Sequence, residues 1–221
     1  MKNTKIDWCD STLNPVVGCK NNCPYCYARK LNDRFGFIEK WNEPQFFPGR
    51  LEQLKSKKGK SIFMNSMSDI MYWEKEWFQQ FYKAIIDNPQ HNYILLTKST
   101  SFFITNKPKN VYLGATIDNQ SKTDVTWIHM YDFLSIEPLL EPITFKERLL
   151  NNTCLKQVII GAETGNRKDK VVPKKEWINN IVKQCDKYKI RVFMKESLRD
   201  IMGNDFRQDP LIWEIKNDNS L

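Results

Sequence analysis

Short runs of β-branched and aromatic residues alternate along the chain with stretches whose apolar residues recur every three or four positions. That alternation predicts parallel strands joined by helical crossovers. Strands are expected at residues 13–18, 61–65, 92–97, 110–116, 132–136, 157–161 and 191–194. Most of these runs are nearly continuously apolar, as strands covered on both faces require. A helix is expected to start at Pro24, where a missing N–H is harmless, and to stop at Gly36. Within it Tyr27, Leu31 and Phe35 stand four residues apart and predict a buried stripe. Two further helices are expected over residues 73–87, with Trp77, Phe81, Ala84 and Ile85 on one face, and 177–188, with Trp177, Ile181 and Cys185 on one face.

Each expected strand hands over to polar residues at its carboxyl end: Asn65, Ser66, Ser68 and Asp69; Thr97 and Lys98; Thr116 and Asp118; Ser135 and Glu137; Glu163 and Thr164; Lys195 and Glu196. In a βα barrel that end carries the functional loops. The expected fold class is α/β with parallel strands, a partial (β/α)6-type TIM barrel left open on one side because too few strands are present to close it. Residues 1–215 are expected to form a single domain and residues 216–221 a frayed tail.

Composition narrows the function classes. The 221 residues are 41% hydrophobic, enough for one good core. No apolar run approaches the roughly 18 residues of a membrane span, and the opening residues lack the apolar centre of a signal peptide. A cytoplasmic protein without membrane contact is expected. The formal net charge of +8 attracts polyanions, so a nucleic acid or nucleotide is a candidate substrate or partner. The basic run 55–60 reads equally well as a solvated loop, and Arg167, Lys168, Lys170, Lys174 and Lys175 as a surface loop or an anion-binding one.

The chemistry lies in the cysteines. Cys19, Cys23 and Cys26 form a CxxxCxxC pattern right after the first expected strand. Spacing so tight cannot close into ordinary disulfides without leaving one thiol over, and its natural use is to grip one iron–sulfur cluster. Three thiolates leave one iron without a protein ligand, and an open position is what chemistry at a metal needs. A structural zinc knuckle is the competing reading, but the two histidines, His91 and His129, lie far from the triplet in sequence. Cys9, Cys154 and Cys185 are scattered among other elements and read as reduced structural thiols.

The CxxxCxxC loop, with the aromatic Tyr25 just before Cys26, resembles the cluster loop of radical S-adenosylmethionine enzymes. Residues 14–19, 26–28, 65–69, 96–98, 113–114, 135–140, 161–165 and 193–195 resemble more narrowly the phage- and prophage-associated radical-SAM-like proteins of unassigned activity. Many of those relatives have a longer gap between their first two cysteines and a Gly-Gly-Glu where this chain has Gly161-Ala162-Glu163. The resemblance implies a 4Fe-4S cluster on Cys19, Cys23 and Cys26, and S-adenosyl-L-methionine as cofactor. It also implies an external electron donor and reductive cleavage of the cofactor to a 5′-deoxyadenosyl radical.

The cofactor-binding candidates are Tyr25, Asn65, Ser66, Ser68, Asp69, Lys98, Thr116, Glu137, Glu163 and Lys195. Ser66, Ser68 and Asp69 would meet the amino group of the cofactor, or Ser68 and Asp69 simply cap a turn. Thr116 and Asp118 would reach ribose hydroxyls, or Asp118 and Asn119 start a helix. Glu137, Glu163, Lys98 and Lys195 serve a site or brace one another as ion pairs. Two other functions stay open: cleavage of a different cofactor bond to release an aminocarboxypropyl group, and a structural metal-cluster protein that binds nucleic acid.

Overall fold

In the computed structural model, residues 2–99, 102, 104–124, 130–151 and 154–215 are described. His129 and the tail at 216–221 lie outside them. The chain is mixed α/β and divides into two compact units, Met1–Thr97 with Ile104–Tyr112 and Lys98–Phe103 with Leu113–Leu221.

The first unit holds β1 (Lys2–Asn3), β2 (Ser11–Thr12), β3 (Val16–Val17), α1 (Tyr27–Phe35), β4 (Gln45–Phe46), β5 (Ser61–Phe63), α2 (Lys75–Ile86) and β6 (Asn92–Thr97). Its sheet runs β1-β2-β5-β6, parallel except for β1. The strand expected at 13–18 is a correction. Ser11 and Thr12 are the residues that pair with Ile62 and Phe63, whereas Val16 and Val17 turn away and pair antiparallel with Phe46 and Gln45. Pro15 explains the break: it has no N–H for a ladder, and its carbonyl instead accepts the Phe47 amide at 2.7 Å. Phe81 and Ile85 of α2 are buried with Leu54, Ile62, Tyr93 and Ile94, and Trp73 meets Phe81 edge-on at 5.2 Å.

Helix α1 departs from expectation at its start and on its face. It begins at Tyr27, not Pro24, because the Cys26 sulfur caps it by accepting the Arg29 amide at 3.4 Å. It stops where expected: Gly36 takes the left-handed conformation at φ 62° and donates to the Asn32 carbonyl. The predicted stripe, however, faces outward, with Tyr27 51%, Leu31 37% and Phe35 57% exposed. Ala28 and Asn32 are buried instead. Asn32 tolerates that position because its amide nitrogen donates to the Ile38 carbonyl and its oxygen accepts the Ile38 amide, both at 3.0 Å.

The second unit holds the Leu113–Thr116 part of β7 (Val111–Thr116), then β8 (Phe133–Ile136), α3 (Glu147–Leu150), β9 (Gln157–Ile160), α4 (Lys175–Lys187), β10 (Arg191–Met194) and α5 (Arg199–Met202). β7-β8-β9-β10 are all parallel, in chain order. Their boundaries fall within one residue of the pattern read from the chain. Ile178, Ile181 and Cys185 form the buried face of α4, with Trp177 half-buried at its margin. Gly114 is needed for packing, since a Cβ there would sit 2.3 Å from the Phe133 ring. No helix among the described residues is long and apolar enough to cross a membrane.

Candidate functional site

The cysteine loop is pinned at its entrance. The Gly18 amide donates to the Met67 carbonyl at 3.0 Å and the Cys19 amide to the Trp41 carbonyl at 2.8 Å. Gly18 has φ 106°, and a Cβ there would lie 2.9 Å from that same carbonyl oxygen, so only glycine fits. Inside the loop the Asn21 amide points at the Cys19 sulfur at 3.4 Å. The Arg29 guanidinium folds back from α1 to the Asn22 side chain at 2.5 Å and the Cys23 carbonyl at 3.2 Å.

Cys19, Cys23 and Cys26 are all half-buried reduced thiols. Burial pushes the Cys19 thiol up to about 12; the Asn21 amide opposes this, and the charges of Asp69, Cys23 and Cys26 push it further. Among the described residues, no three His, Cys, Asp or Glu side chains are gathered closely enough to hold a metal ion. The donor set still fits an iron–sulfur cluster in kind: three soft sulfurs stand on one short loop, and two of them already accept backbone N–H groups.

The loop after β5 wraps around the cysteine loop. Ser68 bridges to Gly18 in parallel fashion, and its hydroxyl accepts the Trp73 indole N–H at 3.0 Å. The Ser66 hydroxyl donates to the Asn14 side chain at 3.1 Å, and its carbonyl accepts the Tyr27 hydroxyl at 3.0 Å. The Asn65 side chain donates to the Leu96 carbonyl at 2.6 Å and accepts the Leu96 amide at 3.0 Å, which makes it an extra rung on β6. Asp69 is buried at 4% exposure. One carboxylate oxygen accepts the Thr97 hydroxyl at 2.7 Å and the Met71 amide at 3.1 Å, and the other accepts the Asn21 side-chain amide at 2.9 Å. Tyr72 donates to the Asn21 side-chain oxygen at 2.8 Å. Tyr25 is half-buried between Cys23 and Cys26.

Lys98, Thr116, Glu137, Glu163 and Lys195 all belong to the second unit. Lys195 and Glu137 form an ion pair at 2.8 Å, and Glu137 also accepts the Ser135 hydroxyl at 2.9 Å; its peptide with Pro138 is cis. Gly161 leaves the room for that pair, because a Cβ there would stand 2.9 Å from Lys195 Cδ and 3.1 Å from Glu137 Oε1. Glu163, 7% exposed, receives both prongs of Arg167 at 2.6 and 2.7 Å. Asp118 binds Lys122 at 2.6 Å with Lys98 at 3.9 Å, while Asn119 accepts the Lys122 amide as a turn-starting residue does. Thr116 is buried in β7. Glu163 therefore pairs with Arg167, and Lys98 with Asp118.

Asn21, Tyr72 and Arg29 are not singled out by the sequence, and Arg167 is read there as part of a surface or anion-binding loop, not as the partner of Glu163. Asn21 and Arg29 carried the signal of lying in or just after the triplet, but their partners at 69, 72 and 22 follow only from folding. Residues 3–200 match the model of a family described as a protein of unknown function, DUF5131. No curated protein and no solved structure matches the chain.

Proposed function

The chain belongs to the DUF5131 family, and for this member we propose a radical S-adenosylmethionine enzyme in which Cys19, Cys23 and Cys26 hold a 4Fe-4S cluster. The observation that carries the proposal is a loop pinned at its entrance that bears three reduced thiols, two of whose sulfurs already accept backbone N–H groups. When bound and reduced by an external donor, such a cluster would supply the electron for reductive cleavage of S-adenosylmethionine to methionine and a 5′-deoxyadenosyl radical, which would abstract hydrogen from substrate.

The chain's own residues bind, orient and shield. Gly18 and Trp41 hold the loop entrance, and the Asn21 and Arg29 amides stabilise charge on the Cys19 and Cys26 sulfurs. Ser66 and Ser68 line the neighbouring turn, while Lys98, Thr116, Glu137, Glu163 and Lys195 are the second-unit groups we assign to the polar parts of the cofactor. The partial (β/α)6 barrel of radical SAM type belongs to the same proposal, as do an external electron donor and a nucleic-acid or nucleotide substrate, the latter supported by the net charge of +8.

The test is anaerobic reconstitution with iron and sulfide, followed by reduction in the presence of S-adenosylmethionine. We expect a brown protein that releases 5′-deoxyadenosine and methionine, and loss of both colour and product when any one of Cys19, Cys23 and Cys26 becomes alanine. A colourless zinc protein, or methylthioadenosine as the main product, overturns the proposal.

A further inference from the structure

The turn after β5 ends in a carboxylate whose oxygens are taken by the chain itself. Asp69 accepts from Thr97 at the end of β6, from the Met71 amide and from the side chain of Asn21. A carboxylate at 4% exposure has to be satisfied by nearby donors, and here they are the protein's own. Asn21 lies in the loop two residues after Cys19 and two before Cys23. Its side chain is held at both ends, its nitrogen by Asp69 and its oxygen by Tyr72, while its backbone amide faces the Cys19 sulfur. The contacts span 48 and 51 residues of sequence, so they fasten the loop to a distant, ordered turn.

We infer that Asp69, acting through Asn21, is a positioning residue that holds the cysteine loop for its cluster, and is not the group that meets the cofactor's ammonium. The inference rests on the proposed cluster for its redox consequence, though not for its structural one. Supporting it, the Asp69 carboxylate reaches the Asn21 side chain at 2.9 Å and the Asn21 amide reaches the Cys19 sulfur at 3.4 Å, so the carboxylate stands one residue away from a sulfur. Groups just outside the ligands orient them and tune the metal, and a fixed negative charge there disfavours an added electron.

Two measurements separate this inference from the function it builds on. The first is hydrogen exchange on the metal-free protein. Asn21→Ala and the milder Tyr72→Phe, which deletes only the bond to Asn21, should each speed amide exchange across residues 19–23 by about tenfold, as loss of one ordinary hydrogen bond does. Unchanged exchange in both variants overturns the clamp, whatever the protein does with iron. The second is a redox titration of reconstituted Asp69→Asn, in which Asn21 can turn its amide over and keep the contact. Full iron content with a raised reduction potential and unaltered S-adenosylmethionine binding is expected. An unchanged potential with weakened S-adenosylmethionine binding overturns the inference and makes Asp69 a cofactor contact. If the wild-type chain takes up no cluster, the proposed function fails and hydrogen exchange alone decides the clamp.

Discussion

Folding changes the proton affinity of individual side chains, and one of them gives a pH test. Cys185, buried on α4, has its thiol pushed up to about 12, first by burial and then by the charges of Asp186 and Asp209, with Arg207 opposing. In the unfolded chain the same thiol ionises near 9.0. A group whose value is raised by folding stabilises the fold fully below the unfolded value and loses that contribution as pH climbs towards the folded one. The metal-free protein should therefore lose stability above pH 9.0, and Cys185→Ala should flatten that decline relative to wild type. Urea midpoints of both proteins across the alkaline range check this; parallel curves would sink it. Residue chemistry of this kind was partly legible from the chain. Cys19, Cys23 and Cys26 announced themselves by spacing, whereas Asn21 and Tyr72 did not, because a hydrogen bond across 51 residues leaves no mark on local pattern.

Helices and strands were legible to different degrees. The strands of the second unit are runs of buried residues whose boundaries follow from where polarity begins, and their positions agree closely with expectation. Helix α1 shows the limit. Its most apolar stripe faces outward, and the buried position is filled by an asparagine whose hydrogen bonds are met by Ile38. The consequence is testable by denaturation: Asn32→Ala leaves the Ile38 amide and carbonyl without their partner and should destabilise by about 1–3 kcal/mol. Leu31→Ser on the exposed stripe should change stability by no more than about 0.5 kcal/mol. The reverse order would mean that α1 packs through its apolar stripe. The first strand shows another limit, since Pro15 diverts Val16 and Val17 into a separate antiparallel pair.

Over the full chain, charge is the property that composition states most directly. With a formal net charge of +8, binding to a single-stranded oligonucleotide should fall at least about tenfold for a roughly fourfold rise in salt. Titration by fluorescence anisotropy measures this, and binding that ignores salt would leave the nucleic-acid part of the proposal without support. The acid–base partners behave differently, because they are set by folding rather than by totals. Glu163 takes Arg167, four residues along, and Glu137 takes Lys195, which Gly161 allows by leaving no side chain between them.

By itself, the order of residues determined the alternating α/β character, the strand positions of the second unit, the close spacing of Cys19, Cys23 and Cys26 and the sign of the net charge. All of these depend on local period or on counting. Only the tertiary structure decided which face of α1 is buried, where Val16 and Val17 pair, and that Asp69 and Tyr72 hold Asn21 beside Cys19. Such outcomes depend on which distant donor finds which acceptor once the chain has closed, and burial rewards that match whatever the intervening sequence.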